Sequence, residues 1–164
     1  LKGLNASQAN FSYTSATYVS SDGLWHSKPA RMPSSLNLKR LYLGNPIGLS
    51  TALYDLRVIG KCYFEKLPEP LVHEDYAYWI QLFRHPLVKA NYVGYPTTNV
   101  LIQPSTRSGN KRLAMQSQWY ILRNIAGLSA IPAYFCLLTY LFFAFYKRGW
   151  ETWKEQLIPQ RQGR

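Results

Sequence analysis

The sequence contains few of the residues that build chemical sites. It has two cysteines and three histidines among 164 residues, and neither cysteine belongs to a Cys-x-x-Cys pair. Zinc, iron–sulfur and c-type haem sites therefore lack their usual ligand spacing. No glycine-rich phosphate loop occurs, and no Ser/His/Asp triad can be assembled. We predict a protein that is not an enzyme and has no catalytic, metal-binding or cofactor-binding residues.

Acidic residues are also scarce. The chain has 8 Asp and Glu against 19 Lys and Arg, which gives a formal net charge of +11. No run of basic residues is longer than two, and no nucleic-acid-binding module is recognisable, so we expect no nucleic-acid partner. A basic chain of this kind is suited to anionic lipid or to acidic protein subunits. These are the predicted partners.

The longest feature that is present is a run without charged side chains. It extends from Ile125 to Tyr146, which is 22 residues. As a helix it would measure about 33 Å, against the ~30 Å hydrocarbon core of a bilayer. The run predicts a single transmembrane helix, and Pro132 predicts a kink within it. The predicted anchors at the membrane interface are Trp119, Tyr120, Arg123, Tyr146, Lys147, Arg148, Trp150 and Trp153.

The predicted span has two different faces. Small residues on one face would allow a second helix to approach closely, and because the chain has one predicted span, that helix must belong to another chain. The predicted helix-packing face consists of Ala126, Ser129, Ala130, Ala133, Cys136 and Ala144. The predicted lipid-facing side consists of Leu128, Ile131, Phe135, Leu138, Phe142 and Phe145.

Residues 36–118 predict short helices separated by proline-rich connections. One carries Leu38 and Leu41, a second begins near Ser50, and a third extends over residues 73–84. The third begins with His73-Glu74-Asp75, whose carboxylates favour the first turn of a helix and do not indicate a metal site. Its apolar stripe predicts either a local core or a docking surface for a partner subunit, formed by Tyr76, Trp79, Ile80 and Phe83.

The domain organisation follows from these segments. Residues 1–35 are rich in Ser, Thr and Tyr and predict an extended or loosely ordered segment. Residues 36–118 form an extramembrane region, 119–148 the transmembrane helix with its flanks, and 149–164 an interfacial tail. The predicted fold class is mainly α, with one C-terminal transmembrane helix, short helices, long irregular segments and little independent core.

A basic chain with one C-terminal span and no catalytic motif resembles the accessory subunits of mitochondrial inner-membrane complexes. Those subunits are typically single-pass and are delivered by a cleaved presequence. Residues 128–135, LSAIPAYF, are similar to the span of one accessory subunit of the NADH dehydrogenase membrane arm. The resemblance implies a structural subunit of a respiratory complex in the mitochondrial inner membrane. It also implies contact with a phospholipid such as cardiolipin. The basic residues on the two sides of the predicted span nearly balance, so they do not set its orientation. The default of stop-transfer insertion places the N-terminal body on the matrix side.

Three alternatives remain at this point. The chain could be an accessory subunit of the ATP synthase or of cytochrome oxidase. It could also be an assembly or import factor that binds the same membrane complexes transiently. A single-pass membrane glycoprotein is the third alternative, because Asn5-Ala-Ser7 and Asn10-Phe-Ser12 match the N-glycosylation sequon.

Overall fold

The chain combines a small mixed sheet with helices of very different length. The computed structural model describes residues 8–20, 22–101 and 110–157, and side chains up to residue 143. Within these residues the strands are β1 (Phe11–Val19), β2 (Ala52–Tyr54) and β3 (Ala90–Leu101). The α-helices there are α1 (Leu38–Tyr42), α2 (Leu56–Ile59), α3 (Glu74–Leu82), α4 (Lys111–Tyr120) and α5 (Ala130–Leu157). A 3-10 turn at Leu49–Thr51 precedes β2, and a π-helical turn at Ile121–Ile125 follows α4.

The sheet has the strand order β2-β1-β3, so the first strand in the chain is the central one. Phe11 is opposite Tyr54 in an antiparallel pair with β2, and opposite Ala90 in a parallel pair with β3. The parallel pairing continues to Val19 and is interrupted by register shifts near Ser15. The first half of β1 is buried on both faces of the sheet, because helices and loops cover it.

The core lies where β1 meets α3. The ring of Phe11 is 4.9 Å from that of Phe83 and 5.6 Å from that of Trp79, both in edge-to-face geometry. One cluster of 17 buried apolar residues contains all three and extends to Ile121 and Ile125 in the π-helical turn. The prediction of little independent core is therefore wrong.

The predicted mainly α fold is also wrong, because the sequence analysis missed the sheet. The segment 1–35, predicted to be extended or loosely ordered, contains β1. β3 lies within residues 86–110, whose proline breaks predict irregular or extended backbone and give no sign of sheet pairing. The helix predicted from Ser50 is a 3-10 turn, the strand β2 and the short helix α2. Pairing with β1 overrides the helical spacing there, because strand formation depends on cross-strand contacts more than on local preference.

The predicted transmembrane helix is not present. No helix in the part of the chain that the structure describes is both long and apolar enough to cross a bilayer. The charge-free run is interrupted: Gly127 has φ +67°, and α5 begins only at Ala130. The charge-free part of α5, from Ala130 to Tyr146, has 17 residues. It measures about 26 Å, which is shorter than the ~30 Å hydrocarbon core.

Hydrogen bonds at the interruption explain why the two helical pieces do not join. The Ala126 amide donates to the Ile121 carbonyl at 2.7 Å, and the Leu128 amide donates to the Leu122 carbonyl at 3.0 Å. These bonds close the π-helical turn and direct the chain away from its axis. Pro132 then lies in the first turn of α5, where proline is tolerated, so the predicted kink is also wrong.

Candidate interaction surface

One side of α5 packs against the rest of the chain. Ala133 is fully buried, and Cys136 and Tyr140 are partly buried on the same side. The Tyr140 ring lies 3.3 Å from the position that a Cβ on Gly44 would take, so it approaches the backbone that follows α1 closely. This side of the helix is covered by the chain itself.

The opposite side of α5 is exposed although it is apolar. Five large side chains lie within about 100° of one another around the helix axis, and their exposed fractions range from 43% to 73%. We call this set the α5 outer face; it consists of Ile131, Tyr134, Phe135, Leu138 and Phe142. Contiguous exposed apolar residues of this kind mark binding surfaces in proteins.

The residues of the predicted helix-packing face are partly buried within this chain and partly exposed. Of the predicted helix-packing face, Ala126 and Ala133 are buried within this chain, Cys136 is partly buried, and Ser129 and Ala130 are exposed. Ala126, Ala133 and Cys136 therefore pack against the chain's own body, whereas Ser129 and Ala130 do not. The side chain of Ala144 lies outside the described residues.

The residues predicted to face lipid behave differently from one another. Ile131, Phe135, Leu138 and Phe142 belong to the α5 outer face. Leu128 precedes α5 and is partly buried against the core. The side chain of Phe145 is not among those described. The periodicity thus predicts which side of α5 is apolar and exposed. The inference that membrane lipid covers this side depended on a spanning helix, and none is found among the described residues.

The predicted interface anchors that are described differ in their surroundings. Trp119 is partly exposed on α4, and Tyr120 packs against the core. The Arg123 guanidinium donates to the Leu128 carbonyl at 2.5 Å, so it stabilises the connection to α5. The other predicted anchors have side chains outside the described residues: Tyr146, Lys147, Arg148, Trp150 and Trp153.

The aromatic stripe of α3 is part of the core. All four residues predicted as a docking surface are less than a tenth exposed: Tyr76, Trp79, Ile80 and Phe83. The Tyr76 hydroxyl donates to the Leu41 carbonyl at 2.7 Å and accepts from the Gln118 amide at 3.1 Å. Burial raises the pKa of this phenol well above its ordinary value. Tyr76 contacts α1 and α4, and Trp79 and Phe83 pack against Phe11 of β1. The stripe therefore forms a local core, the first of the two predicted roles, and is not open to a partner.

The His73-Glu74-Asp75 segment forms the start of α3. His73 has φ +75°, and its Nε2 atom is buried without a hydrogen-bond partner. Asp75 accepts a hydrogen bond from the Asn45 amide at 3.1 Å. Among the described residues, no group of three or more His, Cys, Asp or Glu side chains is arranged to hold a metal ion.

Asn10, the second sequon position, is structural. Its amide nitrogen donates to the Leu87 carbonyl at 2.5 Å, and its side-chain oxygen accepts from the Lys89 amide at 2.8 Å. The residue is 9% exposed. A glycan on this nitrogen would break the connection between Asn10 and the residues that precede β3, which disfavours glycosylation at Asn10. Asn5 lies outside the described residues.

A second exposed apolar region, missed by the sequence analysis, lies between residues 49 and 64. Its exposed side chains are Leu49, Leu53, Leu56, Val58, Tyr63 and Phe64. In the sequence, Leu49, Leu53, Leu56 and Tyr63 have the spacing of an apolar stripe on the helix predicted from Ser50, and such a stripe predicts burial.

The charges of the described side chains are mostly unbalanced. These side chains include twelve Lys and Arg against six Asp and Glu, and one ion pair, between Arg57 and Asp55 at 2.8 Å, joins two of them. That hydrogen-bonded pair lowers the pKa of Asp55 to about 2. The surface is thus basic and apolar together. Comparisons with models of protein families, with curated proteins and with solved structures find no match for this chain.

Proposed function

We propose that this chain is a non-catalytic accessory subunit of a respiratory complex in the mitochondrial inner membrane, with the NADH dehydrogenase favoured. Its role is to bind neighbouring subunits and stabilise the assembly. The observation that supports the proposal is the α5 outer face, a row of apolar side chains that the chain's own fold leaves exposed. The mitochondrial assignment comes from the resemblance in charge and composition.

The size of the exposed surface supports a binding role. A large side chain that is about half exposed offers on the order of 100 Å², so the five residues of the α5 outer face together offer about 500 Å². That is near the upper end of the largest apolar patch on a typical monomer, and such patches are often functional. Covering it would contribute about 12 kcal/mol before the costs of association are subtracted.

The charge of the chain supports the same role. Unpaired basic side chains favour acidic neighbours, and a protein that only stabilises an assembly needs complementary surfaces and no catalytic cluster. The residues between 49 and 64 provide a second apolar surface. Exposed apolar residues outside α5 would allow one small chain to contact more than one subunit, which is how an accessory subunit would hold neighbours together.

The test is to find the chain in its native assembly. Mitochondria are extracted gently with digitonin, the complexes are separated by native electrophoresis, and each band is analysed by quantitative mass spectrometry. We expect the chain to migrate with one respiratory complex in a ratio of about one copy per complex. Migration as a free small species would refute the proposal, and migration with the ATP synthase or cytochrome oxidase would reassign the complex.

Two controls make the result specific. A matrix protein of similar size and charge, expressed at the same level, should not migrate with the complex. Protease treatment of mitochondria without their outer membrane should leave the chain intact if its body faces the matrix. An assembly factor would instead be found mainly with partial complexes and in less than stoichiometric amount.

A further inference from the structure

We infer that the α5 outer face binds one α-helix of a partner subunit, and that this partner helix is apolar along the contact and acidic near its ends. The inference rests on the proposed function and adds the chemistry of the partner. It is carried by the geometry of the face, by its area and by the charges around it.

The geometry of the face matches a helix. Its residues follow the spacing i, i+3, i+4, i+7 and i+11, from Ile131 to Phe142. They form a straight, narrow row of about 16 Å, or three turns. Side chains with this spacing interdigitate with the side chains of a similar row on a second helix. Proteins that bind a helical peptide in a groove contact residues of the peptide at the same spacing. The opposite side of α5, at Ala133, is already buried.

The area of the face is sufficient for one helix. About 500 Å² on each partner gives a total of about 1,000 Å², which is the lower limit for a specific protein interface. One helix packed along the row would cover the side chains fully.

Charge argues against a lipid surface as the occupant. Helices that lie on membranes carry Lys and Arg along the edges of their apolar face. The sequence has no charged residue between Arg123 and Lys147, so α5 supplies no Lys or Arg beside its own apolar row. Along the chain, the nearest basic residues come before and after the row. A partner helix with carboxylates near both ends would complement this arrangement.

Charge also argues against a second copy of the chain. Each copy carries a net charge of +11, so two copies packed face to face would bring like charges together. The described side chains include six carboxylates and twelve cations, so few acidic groups are present to offset the repulsion between two copies. An acidic partner gains attraction where a second copy meets repulsion.

The experiment uses the full chain and a synthetic helical peptide of about 18 residues, or five turns. The peptide has leucines at the same spacing and glutamates at both ends; a matched peptide has lysines at the ends. Binding is measured by fluorescence anisotropy. We compare Phe135→Ser with the control Phe143→Ser, because Phe143 is similarly exposed, at 58%, but points about 100° away from Phe142.

We expect the glutamate peptide to bind the wild-type chain and Phe143→Ser equally, and to bind Phe135→Ser about tenfold more weakly or worse. The lysine peptide should bind the wild-type chain about tenfold more weakly than the glutamate peptide. Circular dichroism confirms that each variant is folded, and Leu138→Ala serves as a second variant on the face. No binding of the glutamate peptide, or an equal loss in both Phe variants, would overturn the inference.

Two further outcomes would identify a different occupant. A dimer detected by light scattering that Phe135→Ser abolishes would show that a second copy covers the face. Binding to vesicles of phosphatidylcholine and cardiolipin that Phe135→Ser abolishes would show that lipid covers it. If Phe135→Ser migrates with the native complex as the wild type does, the inference about the α5 outer face fails and the proposed function stands. If the wild type does not migrate with any complex, the proposed function fails.

Discussion

Replacement of Gly127 by alanine tests where the last helix begins. Gly127 has φ +67° and lies between the π-helical turn and α5. An alanine Cβ at this position would lie 3.5 Å from the Arg84 side chain, an ordinary contact, so the cost comes from the backbone. A left-handed alanine costs about 1–2 kcal/mol, less about 0.5 kcal/mol because alanine also restricts the unfolded chain. We expect the free energy of unfolding to fall by about 1 kcal/mol.

A continuous helix through the same position gives the opposite sign. Alanine is more favourable than glycine by about 1 kcal/mol in the interior of a helix. The assay is urea unfolding of the wild type, Gly127→Ala and Gly127→Asn, followed by circular dichroism. Asparagine adopts the left-handed conformation more readily, so Gly127→Asn should lose less stability than Gly127→Ala. A higher urea midpoint for Gly127→Ala would refute the break that precedes α5.

Three further predictions concern the core. Phe11→Ala should lower the free energy of unfolding by about 4 kcal/mol, because it removes a ring buried against two others. The control Tyr18→Ala, at the exposed end of the same strand, should lower it by less than about 1 kcal/mol. Equal losses for the two variants in urea unfolding would contradict the central position of β1. Tyr76→Phe should cost about 2 kcal/mol in thermal unfolding, because the Gln118 amide loses its buried acceptor; no change would show that the bond contributes nothing. Burial raises the pKa of Tyr76 above its ordinary value of 10.0, so the stability that the neutral phenol contributes is present below about pH 10 and is lost as the pH rises further. The urea midpoint of the wild type should therefore fall above pH 10, and that of Tyr76→Phe should fall less. A wild-type midpoint that does not change above pH 10 would refute the raised pKa.

The part of the fold that the sequence predicts well is the part that depends on local spacing. The helix predicted at residues 73–84 is present as Glu74–Leu82, because an apolar residue at every third or fourth position is a property of the helix alone. The exposed apolar side of α5 follows from the same periodicity. What covers the apolar side of each helix depends on distant residues. Spacing alone therefore leaves two roles open for the α3 stripe, a local core and a docking surface, and the burial of its residues shows the first.

The sheet and the length of α5 could not be obtained from local spacing. β1 is central only because β3 pairs with it from a distant part of the chain, and strand propensity contains no information on that pairing. The length of α5 depends on Gly127, which a hydropathy count treats as one more uncharged residue. Its left-handed conformation is set by the π-helical turn before it, although a glycine followed by Ser129, a residue type that commonly caps helices, was a usable signal.

The parallel pairing of β1 with β3 also determines when the chain can fold. The hydrogen bond between Asn10 and Lys89 joins residues 79 positions apart. At about 5–20 residues per second, the ribosome needs roughly 4–16 seconds to synthesise the segment between them. During that time the apolar side chains of Phe11 and Tyr13 lack the strand that will lie beside them, and long-range pairing of this kind is slow in any case. β1 is thus synthesised well before the strand that completes its pairing, so the nascent chain depends on being kept from aggregation until β3 has emerged.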